Sequence, residues 1–222
     1  MKDFYGRKCS KTLKKENIDL LHKDCFFSDN SSLKKKINNF CNQFSKLNLE
    51  IGFGTGDCLI DQAQKSPEEG FIGCDPFMSG NLNIAKKMKD LSIKNIFITN
   101  VTFLDFWNSV KNIYFSKLFV LFPDPWPKKR HKKRRLINEE FTDYISQILV
   151  KNGKVIIITD HIDYQKNIHI SFESNPRFKL VKSLKQKKLF FENIFETKYY
   201  KKAISKNTII HHSLYRLVEK NS

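Results

Sequence analysis

The sequence predicts an α/β fold, a mostly parallel sheet with helices on both faces. Three observations carry this. From residue 47 onward short apolar runs alternate with stretches of helical spacing, and a glycine-rich turn, L49-E-I-G-F-G-T-G-D57, separates the first run from the first helical stretch. Acids also stand at the ends of successive runs, at Glu50, Asp75 and Asp124. Strand–helix alternation of this kind builds a parallel sheet whose crossover helices cover both sides.

Residues 1–46 are polar and basic. They read as an arm and a helix around Lys34–Phe44, part of the same unit as the rest of the chain. Strands are expected at Leu47–Ile51, Gly70–Cys74, Asn95–Thr99, Lys117–Phe122 and Val155–Thr159, with helical spacing at Leu59–Ala63, Ile84–Leu91 and Leu136–Val150. In the last stretch Leu136, Ile137, Phe141, Tyr144, Ile145, Ile148 and Leu149 mark one apolar face, and Gly153 comes soon after, as a helix end expects. The tail adds strands at Phe178–Ser183 and Thr208–Val218 around a charged helical insertion at Phe190–Ile204. No linker splits off a second domain.

With 222 residues, 40% hydrophobic and 13% aromatic, the chain can bury a core as one domain. Its 40 Lys and Arg against 23 Asp and Glu give a net charge of +17. Such an excess bears on partners and points to a polyanion: tRNA, rRNA, DNA or an anionic membrane surface. A codon bias toward Lys is the plain alternative for the surplus outside residues 128–135. The five cysteines form no C-x-x-C pair and their odd number suits a reducing cytosol. The six histidines form no metal set. No apolar stretch approaches about 18 residues, and the basic N-terminus has no apolar core after it, so neither a membrane span nor a secretory signal is expected.

In the turn, Gly52, Gly54 and Gly56 let the backbone approach a ligand closely, and the helix start beyond them offers free N–H groups. Glu50 beside the first glycine would repel a dinucleotide's pyrophosphate. It suits a ligand that carries positive charge and no phosphate, such as S-adenosylmethionine. Asp75 lies where an acid meets a ribose hydroxyl pair. The E-x-G-x-G-x-G turn resembles motif I of the class I S-adenosylmethionine-dependent methyltransferases.

Asp124 falls at the C-terminal end of the fourth expected strand, where an open α/β sheet places its ligands. Pro123, Pro125 and Pro127 stiffen the loop around it. Trp126 either stacks on a base or closes the pocket, or else caps the core. Seven of the eight residues Lys128–Arg135 are Lys or Arg. A run of this kind is commonly a solvated face, but its attachment to the Asp124 loop fits a grip on nucleic-acid phosphates, with steep salt dependence.

The segment P123-D-P-W-P-K-K-R-H-K-K-R-R-L-I137 resembles the signature of the bacterial tRNA (guanine-N7)-methyltransferases. F4-Y-G-R7, E50-I-G-F-G-T-G56, I72-G-C-D75, T159-D160, T197-K-Y199 and L214-Y-R216 extend the resemblance over essentially the whole chain. It implies a Rossmann-like class I methyltransferase fold with a seven-stranded sheet over residues 47–222. It further implies methyl transfer from S-adenosylmethionine to a guanine of the tRNA variable loop, without a metal or an obligatory protein partner, by a cytoplasmic monomer or homodimer. The donor would meet Glu50, Gly52, Asp75, Thr102 and Asp124, with Asp124 also catalytic. Lys128, Asp160 and Thr197 match guanosine-holding positions, and Arg130, His131, Lys132, Lys133, Arg134 and Arg135 match an RNA-contacting segment. Three positions depart from the pattern: Thr102 and His161 stand where the family usually has Asp and Asn, and Tyr200 replaces the Glu of T-x-Y-E. Asn100 is an alternative to Thr102 for the adenine amino group.

Two rival readings remain open: an RNA-binding protein with a degenerate methyltransferase fold, and a methyltransferase with another target. Amino-methylating members usually carry Asn or Asp before Pro-Pro and an aromatic residue, which Asp124, Pro125, Trp126 and Pro127 do not reproduce.

Overall fold

The computed structural model describes residues 26–27, 30–110, 112–186 and 197–218. The described residues fall into two compact units, one within 1–113 and one within 114–222. The expectations for residues 1–25 and for the first part of the tail insertion lie outside them.

In the first unit the order is β1 (Phe26–Phe27), α1 (Asn30–Cys41), β2 (Leu47–Ile51), α2 (Asp57–Lys65), β3 (Gly70–Cys74), α3 (Met78–Asp90), β4 (Ile96–Thr99) and α4 (Phe103–Ser109). The strands lie in the order β1-β4-β3-β2, all parallel. All residues of β2, β3 and β4 are buried, as in strands covered on both faces. Leu59, Ile60, Phe71, Ile84, Met88 and Ile96 form the core of this unit.

In the second unit β5 (Phe115–Leu121) is followed by a 3₁₀ turn (Lys129–Arg134), α5 (Glu139–Ile148), β6 (Leu149–Thr159), α6 (Ile162–Glu173), β7 (Phe178–Gln186), α7 (Lys198–Ser205) and β8 (Ile210–Leu217). The strand order is β5-β6-β8-β7; β5 and β6 are parallel, and β8 is antiparallel to both β6 and β7. Phe172 of α6 stacks on Tyr215 of β8 with ring centres 3.8 Å apart and planes at 14°.

The seven expected strands are all present, and the two-residue β1 is an eighth among the described residues. The long helix begins later than its apolar spacing suggests, because the Asn138 side chain accepts the Phe141 N–H at 2.8 Å and caps it. Its end also needs correction. Leu149 is already extended at ψ 146°, Asn152 takes the positive φ of 63°, and Gly153 lies inside β6. A Cβ on Gly153 would stand 2.8 Å from the Val150 carbonyl oxygen, so close approach rather than a helix end requires glycine there.

Two helices had no expectation. α4 spans seven residues, too few to show a period. α6 buries Gln165 and Ser171 beside Tyr164, Ile168 and Phe172, and leaves Ile162 and Ile170 exposed, so its apolar residues do not fall on one face.

Candidate active site

At the end of β2 the chain turns through Gly52, Gly54 and Gly56 with φ of 73°, 57° and 74°, a conformation that favours glycine. The turn is fastened on its inner side. Gly52 N–H donates to the Cys74 carbonyl at 2.8 Å, and Gly54 N–H donates to Asp75 Oδ2 at 2.8 Å. A Cβ on Gly80 would stand 1.9 Å from the Gly54 oxygen, so α3 packs directly against the turn. A Cβ on Gly52 would meet nothing within 4 Å, so its outer side is open.

Beneath the turn lies Glu50, 2% exposed. Its Oε2 has no hydrogen-bond partner. Burial first, then the nearby Asp75, push its carboxyl from the ordinary 4.5 up to about 8. A buried acceptor left unsatisfied is costly, and a cation with N–H donors would relieve it. Asp75 is organised differently, its Oδ1 accepting the Phe77 N–H at 2.8 Å while Oδ2 takes that of Gly54. A carboxylate accepts up to about four hydrogen bonds, so these two contacts orient Asp75 without exhausting it.

In the second unit Asp124 and Asp160 come just after the C-terminal ends of the adjacent parallel strands β5 and β6. The loop between β5 and the 3₁₀ turn carries positive φ at two non-glycine residues, Phe122 at 51° and Trp126 at 42°. Backbone held this way costs on the order of 1–3 kcal/mol per residue and persists only where surrounding structure enforces it. Phe122 N–H donates to the Ile158 oxygen at 2.7 Å, and the Phe122 ring stacks on Tyr199 at 6.5 Å. That stack brings α7, with Thr197 at its start, to the Asp124 loop. Partial burial raises the Asp124 carboxyl from its ordinary value.

The basic block is sorted by its 3₁₀ turn. In a helix of three residues per turn, positions i and i+3 share a face. Lys132 and Arg135 both turn to Asp163 of α6, at 2.9 and 2.6 Å. His131 and Arg134 both turn to Trp126: the Arg134 guanidinium lies 5.1 Å from the indole centre, and the His131 ring meets it edge-on at 5.8 Å. Arg130 and Lys133, with Lys128 and Lys129, are exposed. Trp126 is therefore half-buried between a guanidinium and an imidazole and does not cap a core.

Arg135, expected in the RNA-contacting segment, is turned into the fold. Its side chain is 3% exposed. Its Nε donates to the Pro125 carbonyl at 2.8 Å, Nη1 donates to Asn167 Oδ1, and its guanidinium lies over the Tyr164 ring at 4.8 Å. Arg135 anchors the loop of Asp124 and Trp126 to α6. Lys132 also spends charge on Asp163, whose carboxyl these two cations hold down at about 2.

The three departures from the family pattern all concern helix starts. Thr102 caps α4, its hydroxyl accepting the Asp105 N–H at 3.2 Å and donating to Asp105 Oδ2 at 2.8 Å. His161 caps α6 through Nδ1, which accepts the Tyr164 N–H at 3.3 Å. Thr197 caps α7, accepting the Tyr200 N–H at 3.2 Å. T-x-x-E is the spacing of a capping box, and here the third position after the cap is a buried tyrosine instead. The spacing T102-F-L-D105 signalled the first of these caps in the sequence.

One residue beside this end of the sheet had no expectation. His211 pairs in register with Thr159, next to Asp160, and is 5% exposed. Burial and then Lys185 lower its ring, and Asp160 acts in the opposite direction. Among the described residues no three or more His, Cys, Asp or Glu side chains are grouped to hold a metal ion. Among them, too, no helix is long and apolar enough to cross a membrane.

Residues 45–213 match the model of the Methyltransf_4 family, described as "Putative methyltransferase". The tRNA (guanine-N(7)-)-methyltransferase of Wolbachia pipientis wMel is 33% identical over 173 residues, 77% of this chain and 75% of that protein. The chain belongs to this methyltransferase family. A bifunctional methyltransferase of Rickettsia felis is 34% identical over 166 residues, 74% of this chain, but the match spans only 31% of that longer protein. Among solved structures the 16S rRNA methyltransferase KamB superposes with a TM-score of 0.61 at 12% identity, covering 87% of this chain and 95% of that one. The fold of this methyltransferase is therefore the mostly parallel, Rossmann-like α/β fold of class I members.

Proposed function

We propose that this methyltransferase transfers the methyl group of S-adenosylmethionine to N7 of a guanine in the variable loop of tRNA. Residues 47–222 are the methyltransferase domain in this reading, with residues 1–46 as an arm belonging to it. The enzyme acts in the cytoplasm as a monomer or homodimer without an obligatory protein partner. The observation that carries the reading is the Asp124 loop. A buried arginine and two positive-φ residues hold an acid and an indole at the strand ends, and exposed cations begin two residues after the indole.

The chain's own residues fit the donor. Glu50, with its unpartnered buried oxygen, suits the ammonium group; Gly52 leaves room for close approach; Asp75 suits the ribose hydroxyls. Thr102 or Asn100 would take the adenine amino group. When bound, S-adenosylmethionine supplies an electrophilic methyl on its sulfonium. Guanine N7 has an in-plane lone pair and no proton, so the residues need not remove one before transfer. Their work is alignment and exclusion of water. The N7 lone pair forms the new C–N bond as the methyl–sulfur bond breaks with its electron pair, and positive charge moves onto the guanine. Asp124, ionised, stabilises that charge. Asp160 accepts from guanine N1–H and the exocyclic amino group. Lys128 and Thr197 help hold the nucleoside. Arg130 and Lys133 grip phosphates and so offset the unstacking of the guanine, a cost on the order of a few kcal/mol.

The test uses tRNA lacking 7-methylguanosine, labelled S-adenosylmethionine and nucleoside analysis by mass spectrometry. Labelled 7-methylguanosine is expected with the native chain and not with Asp124→Ala, which should still bind tRNA. A different labelled nucleoside would move the target, and full activity of the variant would remove Asp124 from the reaction.

A further inference from the structure

The register of the second unit aligns four cations across four strands. Lys117 of β5 pairs with Lys154 of β6, Lys154 pairs with Arg216 of β8, and Arg216 pairs with Lys179 of β7. Residues directly opposite in a sheet point to the same face, so the four side chains form one row. Strands about 4.8 Å apart make this row about 14 Å long. Lys117 is half-buried at one end of it. Lys154, Lys179 and Arg216 are exposed, and these three stand in no ion pair with a described acid.

Like charges directly opposite each other destabilise a sheet. Edge protection explains some lysines: β7 ends the strand order, and Lys182 and Lys185 on it suit a strand guarded against pairing. It does not explain Lys154 and Arg216, whose strands have neighbours on both sides. The row is also remote from the Asp124 loop. Along β6 it lies six residues before Asp160, about 20 Å at 3.3 Å per residue. It does not face α6 either, because Ser213 and Tyr215, which bond Gln165 and His169, alternate with Arg216.

We infer that the row Lys117–Lys154–Arg216–Lys179 is a second phosphate-binding surface that holds the backbone of the tRNA away from the methylated guanine. This rests on the tRNA reading above. Three exposed cations that repel one another, paired with no acid among the described residues, are complementary to a polyanion. A folded RNA much longer than the reaction site offers phosphates at that distance.

The test is the full chain with Lys154→Gln, Lys179→Gln and Arg216→Gln combined. Removing mutual repulsion should raise its melting temperature or leave it unchanged. Its tRNA affinity should fall about tenfold or more near physiological salt, and the slope of log K against log salt should shrink by about 2–3, near one unit per phosphate lost. KM for tRNA should rise with kcat unchanged, and a short hairpin carrying only the target loop should be methylated equally by both proteins. An unchanged salt slope would overturn the inference while leaving the tRNA reading intact. So would an unchanged tRNA slope together with weakened binding to phosphatidylserine vesicles, which would assign the row to a membrane. Failure of the native chain to bind tRNA at all would end both readings.

Discussion

Arg135 shows how one side chain can carry the positive charge of a nucleic-acid motif and yet serve the fold. Its guanidinium satisfies a loop carbonyl, a carboxylate and an amide oxygen, and covers an aromatic ring. A lysine cannot make that planar fork. Arg135→Lys should therefore cost about 2–3 kcal/mol in chemical unfolding and lower kcat, because the Asp124 loop loses its anchor. Arg130→Ala and Lys133→Ala should leave stability within about 0.5 kcal/mol and instead weaken tRNA binding. Equal melting of all three variants would sink this division. Glu50 makes a prediction of the opposite kind. A carboxyl whose folded pKa is raised from 4.5 to about 8 is protonated in the folded state where the unfolded chain has ionised. Its cost to stability therefore grows as pH rises from 4.5 and levels off above about 8. Glu50→Gln should stabilise the free protein at pH 7 by roughly 2–3 kcal/mol and flatten that pH dependence, while abolishing donor binding by calorimetry. A variant that melts earlier at pH 7 would refute it.

At the scale of elements, the glycine turn and the 3₁₀ turn do comparable work by different means. In the first, two glycines are needed for separate reasons. Gly80 admits α3 against the Gly54 oxygen, whereas at Gly52 the outer side of the turn is open. Gly80→Ala should accordingly unfold or strongly destabilise the first unit. Gly52→Ala, strained by its φ of 73° but free of collision, should cost about 1–2 kcal/mol and act mainly on donor affinity. Thermal melts and donor titrations of the two variants separate these roles, and the reverse order of melting would contradict them. In the second, a period of three divides a continuous run of charge into an anchored column, a column packed on Trp126 and a column open to solvent. Helix starts complete the picture. Thr102, His161 and Thr197 each satisfy a backbone N–H that would otherwise lack an acceptor, which gives two of the unusual positions, Thr102 and His161, a structural role.

For the molecule as a whole, the net charge of +17 is spent unevenly. Lys132 and Arg135 neutralise Asp163, Arg177 pairs with Asp143, and Lys87 pairs with Asp57, while Arg130, Lys133 and most of the cross-strand row stay exposed. The strands were legible because buried parallel strands are short apolar runs between turn residues. Glu50, Asp75 and Asp124 were legible because each stands at or just past the C-terminal end of such a run, whereas Asp160 came only through the family resemblance. α6 was not, because Gln165 and Ser171 find their hydrogen bonds inside and Ile170 remains outside. By itself the sequence determined the α/β class, the glycine turn and the acids at the strand ends, since these arise from periodicity and local backbone chemistry. Only the tertiary structure decided which cations face solvent and which are buried anchors, and which distant residues share a row. Partner and register are set by packing across the chain, and no local pattern encodes them.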